Sequence, residues 1–154
     1  MCASIASIAS HSRAESLTTE RDFLPLKGTD HVEFYVGNAR QAAYFYRAAF
    51  GMSLVAYAGP ETGQRDCASY VLQQGKVRFV LTTPLRSSDP IAQHIHRHGD
   101  GVKVVALWVD DARKAWRETT NRGAINAAEP TVKSQVTGDF PFYEILIIRS
   151  SGRI

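Results

Sequence analysis

The feature that most constrains this chain is a repeated strand–cap–helix junction. At an offset of 73 residues, VGNARQA (36–42) lies over VDDARKA (109–115), so Val36, Ala39, Arg40 and Ala42 recur as Val109, Ala112, Arg113 and Ala115. Each copy follows an alternating or apolar strand run (31–36 and 102–109), as expected for a half-buried β-strand. Each then meets helix-capping residues, Asn38 in the first copy and Asp110 or Asp111 in the second. The glycines expected to stop the two helices, Gly51 and Gly123, fall one residue apart in this register. A match placed at the same junction in both halves marks an internal duplication.

The first copy continues through three more strand-like runs, 52–58, 66–73 and 76–83. A Gly-Pro-Glu-Thr-Gly turn (59–63) and a Gln74-Gly75 hairpin signal separate them. That unit reads β-α-β-β-β, with Ala39, Ala42, Ala43, Tyr46, Ala49 and Phe50 as the apolar face of its helix. A short helix over 89–98 ends at Gly99-Asp100-Gly101, and the pattern restarts at 102. The expected architecture is α+β, built of paired β-α-β-β-β modules of which the second is incomplete. Its divisions are a disordered arm (1–22), a first module (23–99) and a second, truncated one (100–154). After Pro130 only 140–148 reads as a strand, so the second module is short of strands and leaves an edge carrying Ile145 and Ile147. Such an edge predicts association.

The 154 residues are 44% hydrophobic and 21% charged, enough to bury a core without a disulfide framework. The two cysteines, Cys2 and Cys67, fit a reducing, cytoplasmic setting. A formal charge of +3 from scattered Lys and Arg argues against a nucleic-acid partner. No apolar run reaches the roughly 18–20 residues of a membrane span. Residues 1–22 carry no aromatic, and their serines interrupt any signal-peptide core. They are expected to be disordered.

The two faces of the repeated first strand differ. Val32, Phe34 and Val36 map onto Val105, Leu107 and Val109, apolar in both copies and expected to lie under the helices. His31, Glu33 and Tyr35 map onto Val104, Ala106 and Trp108, so the opposite face is polar in one copy and apolar in the other. Paired β-α-β-β-β modules resemble the vicinal oxygen chelate (glyoxalase-like) fold, whose modules curve into a cup. The VGNARQAA-x-FY, AY-x-GPE-x-G and HGDGV segments make the stretch from Leu24 to Pro130 resemble, more narrowly, the N-terminal domain of bacterial 4-hydroxyphenylpyruvate dioxygenases. The related 4-hydroxymandelate synthases share that architecture.

The resemblance implies an Fe(II)-dependent conversion of 4-hydroxyphenylpyruvate, a small aromatic keto acid, and O₂ to homogentisate and CO₂ in tyrosine breakdown. It also implies that the iron sits in a C-terminal domain, on a two-His-one-carboxylate triad. Carried over residue by residue, the triad's slots fall on His31, Val104 and Glu144. Valine has no lone pair to give. The expectation is therefore that this chain alone is inactive, with no catalytic, cofactor-binding or metal-ligating residue of its own and no cofactor in the chain. Its partners would be a missing C-terminal domain or further copies of itself. The alternative is a stand-alone glyoxalase-like protein that dimerises and binds a small molecule against Val104, Ala106 and Trp108.

Four other features invite functional readings. His94 and His98 lie one helical turn apart and could bind a surface metal, while imidazolium charge near a helix C-terminus is the plainer account of His94, His96 and His98. Cys67 reads as a small core residue. Asp100, between two glycines, reads as a turn former. Helical spacing sends Tyr46 to the core and Tyr44 toward the surface, while the repeat places Trp108 in the cup opposite Tyr35.

Overall fold

The structure, a computed structural model, describes residues 22–125 with their side chains and the backbone of the strand at 144–149. The elements are β1 (Gly28–Tyr35), α1 (Ala39–Phe50), β2 (Ser53–Ala58), a 3-10 turn (Pro60–Thr62), β3 (Cys67–Gln74), β4 (Val77–Pro84), α2 (Pro90–His98), β5 (Gly101–Val109), α3 (Ala112–Asn121) and β6 (Glu144–Arg149). The strands form one six-stranded sheet in the order β2-β3-β4-β1-β5-β6. β1 and β4 are parallel and every other pair is antiparallel. A parallel pair needs a long crossover, which α1, β2 and β3 supply. The expected arm lies outside the described residues except for Asp22, as do residues 126–143.

The duplication is visible in the packing of both junctions. Asn38 accepts from the Gln41 backbone N–H at 3.0 Å, and Asp111 accepts from that of Lys114 at 2.7 Å. Asp111 is thus the second cap, while Asp110 instead pairs with Lys27 at 3.3 Å. Val36 is buried with Ala39 and Ala43, and Val109 is buried with Ala112 and Ala115. Alanine at these positions lets each helix start close against the end of the strand run before it, while the body of α1 lies over β3 and β4 and α3 lies against β6.

The larger core sits beneath α1, where Leu72 and Leu81 are fully buried beside Met52, with Phe34, Tyr46 and Phe79 packed against them. One end of the expected helix face departs from this plan: Ala49 is exposed and Phe50 is 57% exposed. The chain reverses at Gly51, in the left-handed region at φ 70°, which suits glycine. Its N–H donates to the Arg47 carbonyl and that of Met52 to the Tyr46 carbonyl, and it is Met52 that turns into the core.

Where β1 meets β5, Val32 pairs with Val105, its own counterpart at the 73-residue offset. A local two-fold axis therefore passes through that pair. On either side of it, His31 faces Ala106 and Glu33 faces Val104. Asp100 links the halves a second time, its Oδ1 accepting from the Gly37 N–H at 2.8 Å.

The turn after β2 has a tight packing requirement. Tyr57 Oη donates to Glu61 Oε2 at 2.7 Å, and a Cβ built on Gly59 would overlap the Oη and Cζ of that ring. The bond to Glu61 also pushes the Tyr57 phenol up to about 12. Gly59→Ala is expected to lower the melting temperature by several degrees, because the ring must leave Glu61 to make room. The loss should shrink when Tyr57→Ala is introduced first; an equal loss in both backgrounds would mean that the clash is not the cause.

Candidate functional site

The face of the sheet opposite α1 and α3 carries two polar rows across its central strands. In the first, Asp30 is the hub. Its Oδ1 accepts from Trp108 Nε1 at 2.8 Å and from Arg78 Nη1 at 3.0 Å, and its Oδ2 lies 2.6 Å from His31 Nδ1. Arg78 reaches on to Gln73 Oε1 through Nε and Nη2 at 3.4 and 3.3 Å. In the second row Thr82 Oγ1 donates to Glu33 Oε1 at 2.7 Å and lies 2.9 Å from Ser69 Oγ. A hydroxyl has one proton to give, so Ser69 is the donor to Thr82. At the end of this face Tyr35 meets His94 of α2 edge-on, ring centroids 5.6 Å apart.

A β-bulge places the hub. The β1–β5 register shifts between Thr29 and His31, so Asp30 and His31 escape strict alternation and both reach the polar face. The Asp30 side chain is 9% exposed, and those of His31 and Arg78 are 20% and 25% exposed. Burial alone would raise the Asp30 carboxyl, but hydrogen bonds from His31 and Trp108 and the charges of His31 and Arg78 outweigh it and hold the group below the ordinary carboxylate value. A carboxylate so held is a weak base. Since it can only accept, His31 must present its Nδ1 proton to it, which fixes the imidazole's tautomer and orientation. No buried side-chain nitrogen or oxygen among the described residues lacks a hydrogen-bond partner. The polar face is satisfied from within.

His31, Glu33 and Tyr35 share the polar face as expected. Tyr35 and Trp108 do not come together: Tyr35 pairs with Gly101 and Trp108 with Gly28, at opposite ends of β1. Repeat-equivalent residues separate in this way because the equivalent strands run antiparallel. Val104 and Ala106 are buried, and the Trp108 N–H is taken by Asp30. Tyr44 is 72% exposed and Tyr46 packs against Phe34 and Phe79, as the helical spacing requires. Cys67 is half-buried at the start of β3 beside Gln64, outside the core expected for it.

The three slots carried over from the iron triad lie on adjacent strands, His31 on β1, Val104 on β5 and Glu144 on β6. Asp30 engages His31 through Nδ1, which leaves Nε2 as the nitrogen a metal would take, but the second slot is the buried Val104, which has no lone pair to give. Among the described residues no group of three or more His, Cys, Asp or Glu could hold a metal ion. The residues that organise the polar face, Asp30, Arg78, Gln73, Ser69 and Thr82, went unnoticed in the sequence. The available signal was Arg78, a charge inside the otherwise apolar start of β4 (Val77–Pro84) that needs a partner.

A six-stranded sheet with a duplicated strand–cap–helix junction defines a glyoxalase-type domain. The profile of the Glyoxalase/Bleomycin resistance protein/Dioxygenase superfamily matches residues 30–142, and the chain belongs to that superfamily. Within it, the chain is 37% identical over 139 residues to a 4-hydroxyphenylpyruvate dioxygenase from Pyricularia oryzae, covering 79% of this chain and 33% of the relative. It is 41% identical over 120 residues to one from Yarrowia lipolytica, covering 75% and 30%. Among solved structures, a triple mutant of 4-hydroxymandelate synthase from Streptomyces coelicolor superposes with a TM-score of 0.66 at 34% identity, over 70% of this chain and 31% of that one. The chain thus spans about a third of the length of the curated relatives it matches. No helix among the described residues is long and apolar enough to cross a membrane.

Proposed function

We propose that this chain is the N-terminal, non-catalytic domain of a 4-hydroxyphenylpyruvate dioxygenase-like protein. The observation that carries this reading is the 37–41% identity to relatives of that name over only about a third of their length. The chemistry of the polar face supports it. Of the triad slots His31, Val104 and Glu144, the second is a buried valine with no lone pair to give. The domain would act as a scaffold, pairing with an iron-bearing domain or a further copy, while conversion of the aromatic keto acid with O₂ proceeds elsewhere in the protein. The binding-module alternative has less support, since Val104 and Ala106 are buried and the Trp108 N–H is taken by Asp30.

The purified chain, supplied with Fe(II), ascorbate and 4-hydroxyphenylpyruvate, is expected to consume oxygen at the rate of the protein-free control. Uptake above that control that disappears in His31→Ala would overturn the non-catalytic reading and put an iron ligand on β1.

A further inference from the structure

The C-terminal half of α2 brings two imidazoles together away from the polar rows. His94 and His98 are separated by four residues, which places them on one face of the helix, one turn apart. Their ring centroids are 4.7 Å apart, with the planes inclined by 45°. His94 is further fixed by the edge of the Tyr35 ring at 5.6 Å. His98 is exposed and open to a ligand from solvent.

We infer that His94 and His98 form a two-imidazole chelate for a late divalent transition metal such as Ni²⁺, Cu²⁺ or Zn²⁺. Two nitrogen ligands at about 2.0–2.1 Å from one ion sit roughly 3 Å apart, and rings whose centroids are 4.7 Å apart are close enough for one nitrogen of each to take up that bite. Imidazole is a ligand such metals prefer, and water completes the coordination shell. Lys103 opposes a bound cation and limits the affinity without altering the bite.

The test is a calorimetric titration of the untagged chain with NiCl₂ near neutral pH, beside His94→Ala, His98→Ala and His96→Ala. Wild type and His96→Ala are expected to bind one equivalent with matching isotherms. Each of the other two variants should weaken that site by at least about tenfold, having lost one of two ligands. His98 is exposed, so its variant reads ligation without disturbing the fold. Wild-type binding that survives in both His94→Ala and His98→Ala, equal loss in His96→Ala, or no saturable binding at all would each overturn the inference.

Discussion

Asp30→Ala is expected to destabilise the domain by about 2–4 kcal/mol, because it removes one side of a part-buried ion pair and leaves the other side in place. Arg78 and the Trp108 indole N–H would each lose an acceptor, and His31 the partner that orients it. Three adjacent strands are affected together, since Asp30 stands on β1, Arg78 on β4 and Trp108 on β5. Asp30→Asn keeps the shape and one carbonyl acceptor, so its cost should be smaller, about 1–2 kcal/mol. The pH dependence has a definite sign. The folded Asp30 pKa lies below its reference value of 3.8, so its contribution is fully present above that value and is lost as the pH falls through the lower folded pKa. The stability gap between wild type and Asp30→Asn, measured by urea titration, should therefore be widest near neutrality and close in acid. A gap independent of pH would show that the carboxylate's charge contributes nothing.

Leu81→Ala is the second large effect expected, about 3–4 kcal/mol. Leu81 is fully buried, pairs with Phe34 on β1 and Tyr70 on β3, and sits beneath α1 within the main core. Its neighbours are strand residues fixed by hydrogen bonds on both sides, so the space left behind cannot readily collapse. The urea midpoint should fall with little change in slope. A change in slope would mean that the truncation loosens the native state as well as weakening it.

Much of the fold could be read in the residues because local chemistry and tertiary packing agree at the repeat. Asn38, Asp111 and Gly51 end their helices through short-range hydrogen bonds, and Val36 and Val109 need only the alanines three residues further on. Phe50 was misplaced because helical periodicity continues to the last residue, whereas the glycine turn sends Met52 inward in its stead. The polar face was legible in its outline and hidden in its hub. Alternation shows where His31, Glu33 and Tyr35 point, but a bulge is one residue out of step, and Asp30 lies in it. Pairing Trp108 with Tyr35 failed for a geometric reason: equivalence in sequence becomes proximity in space only near the axis through Val32 and Val105.

That axis makes the contact between the two halves isologous, the arrangement by which two identical single-module chains would have assembled side by side. Joining such chains end to end replaces a concentration-dependent encounter with an intramolecular one of high effective concentration. The contact then no longer has to be the same from both sides. His31 and Glu33 can serve one half while Val104 and Ala106 fill the other, an asymmetry closed to a true dimer of identical chains.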